Sequence, residues 1–189
     1  MQKAIFPMKY INISQNYKQG NHIPYWKGAS RGKKAYPIDI CGMDSGKDFW
    51  YAPCDLKITM IQAKNTSKWT NKMILVSTGK VQTAKLGKKQ VYFKVVHFPY
   101  SNVAKYGLKV GKVFKQGEIV CTEGKDDFCT GNHIHMECGI GYADESIPNG
   151  NGKYVSNGNG KYPQSILYIS KSFTKKITNL DGLKFRETK

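Results

Sequence analysis

Two histidines stand one residue apart in GNHIHMECG, the stretch from Gly131 to Gly139, in a chain with only four histidines. On an extended strand successive side chains point to opposite faces, so His133 and His135 would share one face and Ile134 and Met136 the other. Paired imidazoles suit either a metal site or a proton-transfer site. The remaining two are His97, in KVVHFP, and His22, in KQGNHIPYW, while Asp39 sits at the end of an apolar stretch in KAYPIDICG. A catalytic zinc site takes three nitrogen or oxygen ligands and keeps one position open for water. Two histidines and one aspartate would meet that need and leave two histidines for acid and base work. Histidines also sit satisfied in cores and on surfaces, so the pair alone leaves both readings open.

Cysteine chemistry is the competing nucleophilic reading. Cys41, Cys54, Cys121, Cys129 and Cys138 are odd in number and contain no CxxC pair. That spacing is not a zinc ribbon, and a chain of 189 residues needs no disulfide framework to fold. Nothing local marks one of the five as an activated thiol, so most of them read as small buried apolar residues.

The elements that must position the histidines are short strands. KITMIQA (57 to 63), KMILVST (72 to 78), QVYFKVVHF (90 to 98), EIVCTEG (118 to 124) and HIHMECG (133 to 139) are rich in β-branched or aromatic residues and are broken by glycine, asparagine and lysine. Helical periodicity is confined to a turn or two over Tyr100 to Tyr106. The expected fold is mainly β: a small antiparallel β-sheet with a substrate groove, long loops and little helix. NGNGKY occurs twice between Asn149 and Tyr162, and Asn-Gly pairs favour tight hairpin turns. We therefore divide the chain into a domain over residues 1–148 and a C-terminal extension over 149–189. The extension would begin as a hairpin or bridge and continue as short strands.

Charge narrows the partners. Thirty Lys and Arg against 13 Asp and Glu leave a net charge of +17, a field that favours polyanions such as nucleic acid, anionic lipid or the phosphate-rich polymers of a bacterial wall. No recognition helix, finger or basic aromatic strand motif accompanies the charge, which argues against nucleic acid. No apolar run approaches the ~18 residues that span a bilayer, and the N-terminal MQKAIFPMKYINIS has no block of a signal peptide.

The order of the pieces adds a further reading. YPIDICGMDSGKDFWYAPCD, then VVHFPYSN, then KVGKVFKQGEIV, then EGKDDFCTGNHIHME together resemble the lysostaphin-like (LytM-type) zinc endopeptidases, which cut peptidoglycan cross-bridges. The resemblance runs from about Ile13 to Gly139. It implies Zn2+ as cofactor, Asp39 and His135 as ligands, and His133 and His97 as the two unliganded histidines that serve the reaction. The family places its first ligand histidine four residues before the aspartate, where this chain has Ala35, and the candidate in its place is His22. Lengthening the intervening loop from about 4 to about 17 residues costs only ~1.3 kcal/mol of closure entropy, against ~10 kcal/mol or more from a zinc site.

The resemblance implies His133 as general base, with His97 facing the developing oxyanion or assisting proton transfer to the leaving amine. Glu137 shares the His135 face by alternation and could orient that ring, or could be a solvated strand residue. The expected substrate is the peptide of bacterial peptidoglycan, with anionic wall polymers and other virion proteins as further partners. A wall hydrolase without an export signal suggests a phage lysin or a virion tail component. The alternative is a catalytically inactive wall-binding or structural module of the same fold, which metal content would distinguish.

Overall fold

The computed structural model describes residues 1–23, 34–43, 48–143 and 158–188. Strands β1 (Tyr10–Gln15), β2 (Ile38–Cys41), β3 (Phe49–Tyr51), β4 (Leu56–Gln62), β5 (Lys72–Ser77), β6 (Val81–Gln82), β7 (Lys88–Lys89) and β8 (Val91–Val96) precede the short helix α1 (Ser101–Lys105). After it come β9 (Val113–Phe114), β10 (Ile119–Thr122), β11 (Ile134–Ile140), β12 (Asn159–Gly160), the short helix α2 (Pro163–Ile166), β13 (Tyr168–Ser170), β14 (Lys176–Asn179) and β15 (Arg186–Thr188). The protein is mainly β, and the strands expected around the histidines form within a residue or two of their expected ends.

One nine-stranded sheet dominates, in the order β14-β1-β2-β11-β8-β5-β4-β9 with β12 added to β11. Its pairs are antiparallel except β1 with β14, which run parallel at the edge. Strand β8, VYFKVV, is buried along its whole length, a central strand whose apolar run is broken only by Lys94. Phe93 of β8 packs its ring against Trp50 of β3, with centroids 6.2 Å apart. Ile11, Ile13, Ile38, Ile40, Ile134 and Met136 join the same core. Ala4, Phe6 and Met8 reach it from the N-terminal segment, and Ile166 and Leu167 reach it from the C-terminal one.

The first NGNGKY copy, at 149–154, lies outside the described residues, as does the rest of 144–157. Asn159 and Gly160 of the second copy pair with Ile140 and Gly139 as β12. A Cβ at Gly139 would collide with the Asn159 carbonyl and the Tyr92 ring, so glycine is what lets the extension lie flat on β11.

Register decides what the sheet presents. His135 stands opposite Asp39 on β2 and opposite Val96 on β8, and Glu137 stands opposite Lys94 on β8. Directly paired residues project to the same face. Three adjacent strands therefore bring Asp39, His135, Glu137 and Lys94 to one side of the sheet, while Ile134 and Met136 are fully buried on the other.

Candidate metal centre

His22 comes to this face from outside the sheet. Beyond β1 the chain turns back on itself, with Gln19 N–H donating to Asn16 O at 3.2 Å and His22 N–H donating to Gln19 O at 3.0 Å. The resulting single helical turn over Gly20–His22 buries the His22 side chain. Its Nε2 lies 3.2 Å from Asp39 Oδ1 and 3.2 Å from His135 Nδ1, and His135 Nδ1 lies 3.1 Å from Asp39 Oδ1. The three donors thus form a nearly equilateral triangle. A tetrahedral zinc ion with bonds of ~2.0–2.1 Å holds its ligand atoms ~3.3 Å apart, so the triangle fits that ion with shifts of a few tenths of an ångström.

Each of the four histidines has one ring nitrogen tied to an acceptor. His22 Nδ1 lies 3.1 Å from Asn16 O, His135 Nε2 lies 3.4 Å from Glu137 Oε1, His133 Nδ1 lies 2.9 Å from Gly131 O, and His97 Nδ1 lies 2.7 Å from Asp126 Oδ2. A carbonyl or carboxylate there holds the proton on that nitrogen and leaves the other one for a ligand or a substrate. Which nitrogen faces the centre consequently differs between residues: Nε2 for His22, Nδ1 for His135. Glu137 is itself held, with Lys94 Nζ at 3.2 Å from the same oxygen. By strand alternation Glu137 falls on this face, and it meets His135 there.

Charge follows from these contacts. Burial works to raise the Asp39 pKa, but hydrogen bonds from His135 and His22 hold it well below the usual carboxylate range. Burial opposes a charge on His135, yet carboxylates at both ring nitrogens raise its pKa to about 9. In the metal-free state the triangle therefore holds a proton that a cation would displace. Glu137 is also drawn down, to about 2; burial opposes this, and the Lys94 ammonium and His135 overcome it.

The two other histidines flank the triangle. His133 Nε2 lies 3.7 Å from Asp39 Oδ1, and the rings of His133 and His97 are 4.7 Å apart between centroids. His97 follows the last residue of β8 with φ of 70°, a left-handed conformation that non-glycine residues seldom adopt. Such a conformation persists only where the surroundings enforce it. Here His97 N–H donates to Asn71 O at 2.9 Å and Asn71 Nδ2 donates to Phe98 O at 3.1 Å. Desolvation, with the neighbouring histidines adding to it, lowers the His97 pKa to about 4 against the pull of Asp126, so the ring is neutral near pH 7.

Sequence reasoning missed Asp126, Asn16 and Lys94. The one available signal for Asp126 was its place in GKDDFCTGNHIH, where an acid two residues before Phe128 can close a side-chain turn. Cysteine chemistry finds no support: burial raises the pKa of all five thiols, that of Cys54 to about 12. Among the described residues no helix is long and apolar enough to cross a membrane.

Neither a protein-family model nor a curated protein matches the chain. Among solved structures it is similar to a zinc-containing peptidase from Vibrio cholerae, with 14% identity over 86% of this chain and 41% of that one, at a TM-score of 0.46. It thus spans less than half of that peptidase. It is also similar to the catalytic domain of the antimicrobial peptidase lysostaphin from Staphylococcus simulans, with 21% identity over 70% of this chain and 77% of that one, at a TM-score of 0.44. A third likeness is to LytU, with 18% identity over 87% of each chain and a TM-score of 0.46.

Proposed function

We propose that this protein is a zinc-dependent endopeptidase that cleaves the peptide cross-links of bacterial peptidoglycan. The observation that carries the reading is the His22–Asp39–His135 triangle, with edges of 3.1–3.2 Å and with its outer nitrogens anchored by Asn16 and Glu137. Two nitrogens and one carboxylate oxygen are a ligand set for zinc with a position left open. When bound, zinc would lower the pKa of a water and polarise the scissile carbonyl.

The chain's own side chains supply the rest. His133, with Nδ1–H donated to the Gly131 carbonyl, turns Nε2 toward Asp39 and can accept the proton that the attacking water gives up. His97, beside it, can carry a proton to the departing amine. The choice of substrate rests on the four ordered motifs and on the net charge of +17, which suits a wall bearing anionic polymers.

Incubation of the purified protein with Gram-positive cell walls tests the reading. Clearing should release new amino groups without new reducing sugars, and a chelator should stop it. Reducing ends in place of amino groups would reject peptidase chemistry.

A further inference from the structure

The proton-transfer pair described above has a third member that no motif marks. Asp126 is only 6% exposed, and both of its carboxylate oxygens are engaged: Oδ1 accepts from Phe128 N–H at 2.9 Å, and Oδ2 lies 2.7 Å from His97 Nδ1. Burial works to raise its pKa, but the His97 hydrogen bond and its other donors keep it below the usual carboxylate range, so it is an anion that can only accept.

Its loop is fixed at both ends. Asp127 N–H donates to Ser67 O at 2.9 Å and Ser67 Oγ lies 3.1 Å from Asp127 Oδ2, which ties the turn to the β4–β5 connection. Gly124 and His133 form a bridge, with His133 N–H donating to Gly124 O at 3.1 Å. A Cβ at Gly124 would collide with the His97 carbonyl. One loop, 124–133, therefore seats the Asp126 carboxylate behind His97 and carries His133 at its far end.

Asp126, His97 and Cys129 also gather donors that could in principle hold an ion. The 2.7 Å separation of His97 Nδ1 and Asp126 Oδ2 belongs to a hydrogen bond, because two ligands of one tetrahedral ion stand ~3.3 Å apart. Cys129 Sγ instead lies 3.3 Å from the Asp126 N–H, where it accepts within the turn.

We propose that Asp126 is a positioning residue for His97: it fixes the ring in the tautomer protonated at Nδ1, so that protons enter and leave through Nε2 alone, and it balances the ring's charge while a proton is in transit. This deepens the peptidase reading and rests on it. In that reaction the water oxygen bonds to the carbonyl carbon and its proton goes to His133. His133 hands that proton to His97 Nε2; the C–N electron pair then passes to nitrogen, which takes the proton from His97 Nε2, so neither ring keeps one after the turnover. His133 has only a neutral carbonyl behind it, whereas His97 has a carboxylate that offsets the charge while the proton is in transit.

The test uses zinc-loaded protein and two readouts. Nitrogen NMR of the imidazoles in the unsubstituted protein should show His97 protonated at Nδ1, and Asp126→Asn should shift it toward a tautomer mixture. Asp126→Ala and Asp126→Asn should keep one zinc per chain and a KM within a few-fold of the original, while kcat falls ~10²-fold or more. In a His97→Ala background Asp126→Ala should cost nothing further, because it acts through that ring. His97 protonated at Nε2 in the unsubstituted protein, an Asp126→Asn protein with full kcat, additive losses in the double variant, or a second zinc lost in Cys129→Ser would each overturn the proposal. Absence of peptide hydrolysis in the zinc-loaded unsubstituted protein would instead sink the peptidase reading, and the NMR assignment would stand apart from it.

Discussion

Glu137 Oε1 lies 3.4 Å from His135 Nε2 and 3.2 Å from Lys94 Nζ, so a residue two positions along β11 joins a candidate zinc ligand to a buried cation on the neighbouring strand. The arrangement orients the His135 ring and raises its basicity. Glu137→Gln keeps the shape and removes the charge, and it should weaken zinc binding by ~10- to 100-fold, as measured by competition with a chromogenic chelator. Glu137→Ala should in addition lower the melting temperature, since Lys94, only 6% exposed, loses its ionic partner. Unchanged zinc affinity in both variants would remove Glu137 from the centre.

His22→Ala should lose most of the bound zinc, by more than the ~10- to 100-fold expected of an outer-sphere change. Among the described residues, Ala35, which stands where the family places that ligand, is a buried apolar residue that cannot replace it. Elemental analysis decides the point. If the variant keeps full zinc and activity, another residue closes the site.

Stability of the chelator-treated protein should peak near pH 6 to 7. His97, lowered to about 4, contributes stability that is complete above its ordinary value of about 6.5 and is lost as pH falls. Glu137, lowered to about 2, contributes with the same sign, lost as pH falls from about 4.5. His135 has the opposite sign: raised to about 9, its contribution is complete below about 6.5 and is lost as pH rises through 9. Zinc replaces the His135 proton and should flatten the alkaline side. Melting temperatures at about pH 5, 6.5 and 9, with chelator and with zinc, test the shape; a metal-free protein that gains stability from pH 6.5 to 9 would contradict it.

The parts of the site legible in the sequence were those set by strand alternation. The period of two placed His133, His135 and Glu137 on one face, and it put Ile134 and Met136 in the core. His22 was legible only once the ordered motifs left a ligand to be found, and the structure brings it to Asp39 and His135 through a turn that the sequence does not announce. Asp126 was hidden because its contact with His97 joins two loops across the fold, and no local pattern encodes such a pairing. The left-handed backbone at His97 was hidden for the same reason. Likewise nothing in residues 158–188 signalled that β12 would pair with β11, or that β14 would pair parallel to β1. Long-range pairing depends on the assembled core rather than on the segment itself.

Zinc content and peptide release, measured together for His133→Ala, His97→Ala and His135→Ala, test the division of the histidines most directly. The first two should keep about one zinc per chain and lose ~10²- to 10⁴-fold in activity, because acid and base groups serve the reaction without holding the metal. His135→Ala should lose the zinc itself. Equal zinc loss at positions 133 and 135, or full activity without zinc in any of the three, would contradict the assignment of one histidine to the metal and its neighbour to the substrate.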